Sequence, residues 1–413
     1  MSRDFDLIVI GGGAAGFYGA IQAAEVNSGV RVLILEKSTK LLSKVRVSGG
    51  GRCNVTHNCY DAVKLSRHYP RGERTLRTTF KKYGASDTID WFKRRGVTIN
   101  AEEDGRMFPS TNSSETIINC FLSEAKRLRI EIETGVEVDD VHRVGKQFAI
   151  KTASGKTYHC RRVLIAVGGS PKHEAYNFIR KLGHTVVPPI PSLFTFNDRE
   201  RSFVDLMGIS VPTAEVRITG TKFKMSGALL ITHWGLSGPA VIKLSAWAAQ
   251  YLYDVGYDFS VLVSWIGSVG EENIRALLHS QKSERAKQKV HSHPLFDLPQ
   301  RLWTKLCTHA EIPEDKIWSE ISNRHLNKLL EYIIKCPFHI KGKTTFKEEF
   351  VTCGGVHLDE VNPLTFESKI VNGVFFAGEV LNIDGETGGF NFQAAWSTAA
   401  LAARSMFVNG DVA

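Results

Sequence analysis

The apolar positions of this chain gather into short unbroken runs closed by glycine, a pattern different from the strict alternation of a half-exposed sheet. The stretch LIVIGGGAAGFYGAIQAA, Leu7 to Ala24, shows it best: four apolar residues, three glycines, then small and apolar residues at helical spacing. A run of that kind reads as a strand buried on both faces, followed by a tight turn and a helix packed back on it. VLILE (Val32 to Glu36), RRVLIAVGG (Arg161 to Gly169) and VFFA (Val374 to Ala377) repeat the buried-strand pattern. Between them, Asp61 to Gly96 and Ser113 to Leu128 have helical spacing, the second capped by Ser113 or Ser114, and GRMFPS (Gly105 to Ser110) reads as a turn. IEIETGVEVDDVHRV and QFAIKT alternate enough for a hairpin-like sheet.

The character changes at VVPPIPS, Val186 to Ser192, where three prolines in four positions predict a rigid exit from the first domain. From there to about residue 265, β-branched segments such as AEVRITG and FSVLVSWIG predict an antiparallel β unit. Glu271 to Ile334 is helix-rich and basic, broken at His293, Pro294 and Pro299, and FHIKGKTTFKEEFVT reads as strands leading back to the first domain.

The first turn carries chemistry. Gly11, Gly13 and Gly16 match the GxGxxG fingerprint of a dinucleotide pyrophosphate site, in which the first glycine makes the turn, the second admits the phosphates and the third lets helix meet strand. Ala14 and Ala15 open the helix, and Glu36, twenty residues after Gly16, stands where a carboxylate accepts hydrogen bonds from an adenosine ribose, with Lys37 beside it. The ligand is FAD or NAD. Further on, Gly388, Gly389, Phe390 and Asn391 lead into a helix of small and apolar residues, after the acid-bearing turn of Gly378, Glu379 and Asp384. A helix start of this kind stabilises negative charge, which suits a reduced flavin at its N1/C2 carbonyl edge and answers no evident need of an NAD enzyme. SGGGRCN, Ser48 to Asn54, holds three consecutive glycines whose entropic cost makes sense if a flat ring must approach the backbone.

GGGAAG, SGGGRCN, THWGLSGPA (Thr232 to Ala240), TCGGV (Thr352 to Val356) and AGEVLNIDGETGGFNFQAAW together resemble the bacterial family of FAD-dependent flavoproteins that includes aminoacetone oxidase and a bile-acid enone reductase. The motifs run from Gly11 to Trp396, so the likeness spans almost the whole chain. Three positions depart from the family pattern: Phe366 and Phe390 replace Met and Tyr, and Asn382 replaces Asp. The resemblance implies noncovalent FAD, with Arg46, Ser48, Gly49, Gly50, Arg52, Cys53, Asn54, Gly168 and Gly169 near the cofactor and Val136 against its adenine. The expected architecture is α/β: a Rossmann-like, glutathione-reductase-like FAD-binding domain of residues 1–190 plus 350–413, interrupted by an antiparallel β module (191–268 plus 335–349) and a small helical subdomain (269–334).

Bulk properties narrow the picture. No run approaches the length of a membrane span, and the first strand starts too early for a signal peptide, so a cytoplasmic protein is expected. Seven cysteines lack any CxxC spacing, which argues against a zinc site or a disulfide framework. Cys53 follows Arg52, which would favour its thiolate, although a small residue packing near the ring is the favoured reading. The net charge is +9, and residues 64–95 hold ten Lys or Arg against three Asp or Glu. That surface reads first as a solvated face, with nucleic acid as the alternative partner.

In a flavoenzyme the cofactor carries the electrons, so few side chains need be catalytic. His233 and Arg52 are the candidates. His233 reads first as a residue bonding its own loop and second as a general acid in a cap over the ring; Arg52 reads first as an FAD partner and second as a substrate clamp. His357 is a weaker candidate and Glu386 either a base or part of a backbone turn. No second GxGxxG follows a strand, so NAD(P)H must bind transiently, or the substrate itself reduces FAD and O2 reoxidises it. The expected function is hydride transfer at flavin N5 on a small organic molecule, an enone or an amine; the alternative is a basic flavoprotein that modifies or binds RNA.

Overall fold

The apolar runs assemble into one seven-stranded sheet in the computed structural model, which describes residues 4–344 and 351–407. Strands Glu131–Thr134, Val32–Glu36, Asp4–Ile10 and Thr157–Ile165 lie side by side in parallel. Thr157–Ile165 then divides its edge: its first half pairs antiparallel with Gln147–Thr152, which pairs with Val138–Val144, and its second half takes Val374–Phe376 in parallel. This brings the chain's last strand back to the sheet that its first strand began. Ile8, Val9, Val163, Leu164, Ile165, Val374 and Phe376 are wholly buried, as unbroken apolar runs require.

Helices Ala14–Val26 and Phe390–Met406 pack on this sheet and on each other. A Cβ on Gly19 would lie 3.6 Å from that of Ala399, so small residues set how closely the two helices approach. Trp396 keys the contact: it is fully buried, its ring lies 5.2 Å from that of Tyr18, and its Nε1 donates to the Val55 carbonyl at 2.9 Å.

Two expectations need correction. Arg106–Pro109 is a strand, where a turn was expected, because it pairs with Ile99–Ala101 and with Thr56–His57 just after the glycine loop. The proline segment Val186–Ser192 is likewise a strand, paired antiparallel with Val351–Val356; the register shifts between Val187 and Ile190, so Pro188 and Pro189 fall in a bulge that needs no amide donor. Part of FHIKGKTTFKEEFVT, residues 345–350, lies outside the described residues.

Contacts divide the chain into two units, residues 1–192 with 347–413 and residues 193–346. The second unit is a closed antiparallel barrel in the order Thr195–Asp198, Gly235–Ser237, Lys224–Ile231, Ser210–Ile218, Asp258–Ser264 and Cys336–Thr344. Helices Glu271–Glu284, Gln300–His309 and Asn323–Ile334 share one apolar core with it, through Ile274, Leu302, Leu329 and Trp265.

Trp396→Ala removes a buried ring and its hydrogen bond, and should destabilise the first unit by about 3–5 kcal/mol. The denaturant midpoint followed by tryptophan-independent circular dichroism checks this; a loss below about 1 kcal/mol would mean that the helix pair does not depend on Trp396.

Candidate active site

The three fingerprint glycines serve different ends. A Cβ on Gly11, whose φ is +115°, would lie 2.3 Å from the Ala166 carbonyl oxygen, and one on Gly16 would lie 1.9 Å from that of Gly11. Those two let backbone pack on backbone. A Cβ on Gly13 would meet nothing within 4 Å. Gly13 caps the helix Ala14–Val26, no side chain caps that end, and Ala14 and Ala15 form its first turn. An open backbone face at an uncapped helix start fits a pyrophosphate. At the end of the second strand, Glu36 accepts from the Gly12 and Ser38 amides at 2.7 and 2.8 Å, and its carbonyl accepts from Val136 N at 2.9 Å. Glu36 and Val136, expected at ribose and adenine, are thus neighbours, while Lys37 is exposed.

The loop Ser48 to Asn54 divides similarly. All three glycines are exposed, but a Cβ on Gly49 would lie 2.9 Å from the Phe108 ring, whereas Gly50 and Gly51, at φ +69° and +83°, face open space. Ser48 donates to the Val45 carbonyl, and Asn54 accepts from Met107 N beneath Gly389. Arg46 pairs with Glu115. Arg52 lies 2.6 Å from Glu102 and 3.9 Å over the Phe108 ring, so its charge is already answered within the protein. It lends nothing to Cys53, whose thiol is fully buried and pushed up to about 12 by that burial. Cys53 is therefore a packed neutral thiol and no nucleophile.

Gly168 faces open space, whereas a Cβ on Gly169 would lie 2.4 Å from Thr352 Oγ1 and 2.6 Å from Glu379 Oε1. Glu379, after the buried Gly378, accepts from Thr352 N at 2.8 Å and pairs with Lys44 at 2.7 Å. The Thr352 hydroxyl beside it is buried and, among the described residues, has no partner, as is the Asn382 side-chain oxygen. Polar atoms left over in this way fit a bound polar ligand, and with the open faces of Gly13 and Gly168 they make the site fit FAD.

The turn before the last helix is held by a segment that sequence reasoning passed over, His68 to Arg71. Arg71 forms a two-pronged ion pair with Asp384, which is fully buried and also accepts from the Ser192 hydroxyl at 2.8 Å. Burial pushes the Asp384 carboxyl up, with Arg71 and Ser192 opposing. His68 Nδ1 lies 3.1 Å from the Glu386 carboxylate, and Tyr69 donates to the Phe390 carbonyl at 2.6 Å. Phe390 stacks with both His57 and His68, with ring centres 4.6 and 4.3 Å away. Asn391 exchanges hydrogen bonds with both backbone groups of Gly385, so its side chain shapes the turn. Gly388 and Gly389, at φ +130° and +91°, close it, and a Cβ on Gly389 would lie 2.4 Å from the Thr56 carbonyl oxygen.

His233 belongs to the other unit. It is exposed, with its ring edge-on to Trp234 at 4.2 Å, and its loop is closed by Thr232, which bonds Gly235 in both directions. The expectation that His233 ties its own loop is therefore corrected. His357 caps a short helical turn through Asp359 N at 3.4 Å. Among the described residues there is no cluster able to hold a metal ion, and no helix is long and apolar enough to cross a membrane.

A Rossmann sheet whose first turn opens to a pyrophosphate and whose last helix starts beside a glycine turn defines an FAD-binding flavoprotein. The chain belongs to the family described as HI0933-like protein Rossmann domain, matched over residues 5–405. It is 28% identical to the 3-dehydro-bile acid delta(4,6)-reductase of Clostridium scindens, over 96% of this chain and 98% of the relative. It is also 28% identical to the ribosomal RNA dihydrouridine synthase of Haemophilus influenzae, over 98% and 99%. Among solved structures, 3-ketosteroid delta1-dehydrogenase from Sterolibacterium denitrificans shares the fold at a TM-score of 0.53 and 12% identity, covering 98% of this chain and 99% of that one. The protein is an FAD-dependent oxidoreductase.

Gly13→Val should leave the apoprotein folded, with a thermal midpoint near wild type, and abolish FAD binding; Gly16→Val should fail to fold. Thermal unfolding and FAD titration check both. Full flavin binding by Gly13→Val would move the pyrophosphate elsewhere.

Proposed function

We propose that this protein reduces a carbon–carbon double bond conjugated to a carbonyl, with NAD(P)H as the reductant. The observation that carries this reading is shared bond chemistry. The two full-length relatives have names that differ in substrate, but a reductase of a 3-oxo bile acid at positions 4 and 6 and a synthase of dihydrouridine both saturate a carbon–carbon bond next to a carbonyl. Bound FAD supplies the two-electron transfer at its N5. The chain's own residues bind and shape: the helix Ala14–Val26 receives the pyrophosphate, Glu36 the ribose, and the uncapped start of Phe390–Met406 favours negative charge at the ring. No second nucleotide turn is present in the sequence, so NAD(P)H binds transiently.

Two acceptors fit that bond. A free small enone is the reading the motifs favour. The surface favours the other, a uracil ring presented by RNA: Arg67, next to His68, and Arg74, Arg77, Lys81 and Lys82 are exposed and, among the described residues, have no carboxylate partner. Unpaired cations gathered beside a site are an electrostatic footprint for phosphate backbone.

The test is an anaerobic titration. NADH or NADPH should bleach the bound flavin, and the colour should return on adding either a 3-oxo-Δ4-steroid or in-vitro-transcribed ribosomal RNA, before any air is admitted. Return with RNA, weakening as salt is raised, selects the RNA acceptor. Return only on admitting air would overturn the reading in favour of an oxidase.

A further inference from the structure

Saturating a conjugated double bond takes a hydride and a proton, and the mechanism above supplies only the hydride. We propose that His68, held by Glu386, supplies the proton; this rests on the proposed reduction. The overall change balances as NAD(P)H, one proton and the conjugated bond giving NAD(P)+ and a saturated bond. The hydride reaches the carbon remote from the carbonyl, and the proton from His68 Nε2 reaches the carbon next to it. His68 then recovers a proton from water.

The choice follows from what the other titratable groups around the turn are doing. His57 Nδ1 is taken by the Gly388 carbonyl at 3.0 Å, and its Nε2 edge is against Gly105, where a Cβ would lie 2.5 Å away. Tyr69 is buried, donates to Phe390, and its hydroxyl is pushed far up by burial. Cys53 is a neutral buried thiol, and Lys44 is paired with Glu379. Asp384 is occupied by Arg71 and Ser192.

His68 differs from all of these. Its side chain keeps 35% of its surface exposed, while that of its partner Glu386 keeps 8%. A carboxylate accepts at Nδ1, which fixes the ring and leaves Nε2 as the nitrogen that can pass a proton between the site and water. The ring is also locked by stacking on Phe390 at 13° between planes, and its own carbonyl accepts from Glu386 N at 3.0 Å. A carboxylate-oriented imidazole, stacked on the first residue of the helix Phe390–Met406 and open on one side, is built as a proton carrier. Among the described residues, the charged and titratable groups around it are Glu386, His57, whose ring centre lies 6.0 Å away, and the Arg71–Asp384 pair.

The experiment uses the FAD-loaded protein and His68→Gln. Bleaching by NAD(P)H should be unchanged, while reoxidation by the steroid enone or the ribosomal RNA should slow by roughly 10² to 10⁴. Glu386→Gln should retain FAD and slow the same step less. A second readout needs no turnover: ¹⁵N imidazole spectra of the apoprotein should show His68 protonated at Nδ1, and Glu386→Gln should abolish that preference. Reoxidation of His68→Gln within threefold of wild type at every pH overturns the proposal and leaves the reaction intact. If the wild-type flavin is reoxidised by neither acceptor, the reaction itself is wrong, and this role for His68 goes with it even if the ¹⁵N spectra show the pair. If His68→Gln loses FAD, Glu386→Gln with unaltered reoxidation overturns it instead.

Discussion

One buried ion pair holds the candidate site together. Arg71 and Asp384 come from opposite ends of the chain, and Ser192 adds a third segment through the same carboxylate. A charge as buried as Asp384 is tolerable only with its partner in place, and breaking such a pair commonly costs about 3–5 kcal/mol. Because the two side chains meet in a fixed geometry, the turn from Asp384 to Asn391 has one position against the segment from His68 to Arg71. Everything proposed for the ring edge follows from that: the uncapped helix start, the stacked Phe390, and the His68–Glu386 pair beside it.

Glycine does two kinds of work in this site, and the surroundings tell them apart. Gly11, Gly16, Gly169 and Gly389 sit where any side chain would run into backbone or into a fixed carboxylate. Gly13, Gly50 and Gly168 have nothing in front of them. The first group is about packing two chain segments; the second leaves surface for something the chain itself does not provide. The buried Thr352 hydroxyl, which has no partner among the described residues, makes the same point in polar form.

Much of the fold and the nucleotide end of the site were legible in the sequence because they are local. Gly11 to Glu36 encode a strand, a turn, a helix and an acid within one short stretch, and each element is fixed by its own residues. The ring end was legible only in part. Gly388 and Gly389 announced a helix start, but nothing near them pointed to His68 or Arg71, whose meaning depends on partners more than three hundred residues away in the chain. Arg52 and Cys53 show the opposite case. Adjacent in sequence, they left an activated thiol open beside the favoured packed one, and only the structure separates them: Arg52 turns to Glu102 and Phe108 while Cys53 is buried. The strand at Arg106–Pro109 was hidden because it is short and one of its two partners, Thr56–His57, is some fifty residues away.

The central claim is that a full adenine-to-flavin dinucleotide spans the first turn and the last helix. The most direct test is to purify the protein, record its visible spectrum, denature it and chromatograph what is released. The account predicts a yellow protein that releases FAD without proteolysis. A colourless protein that FAD cannot reconstitute, or one that releases FMN, would contradict it.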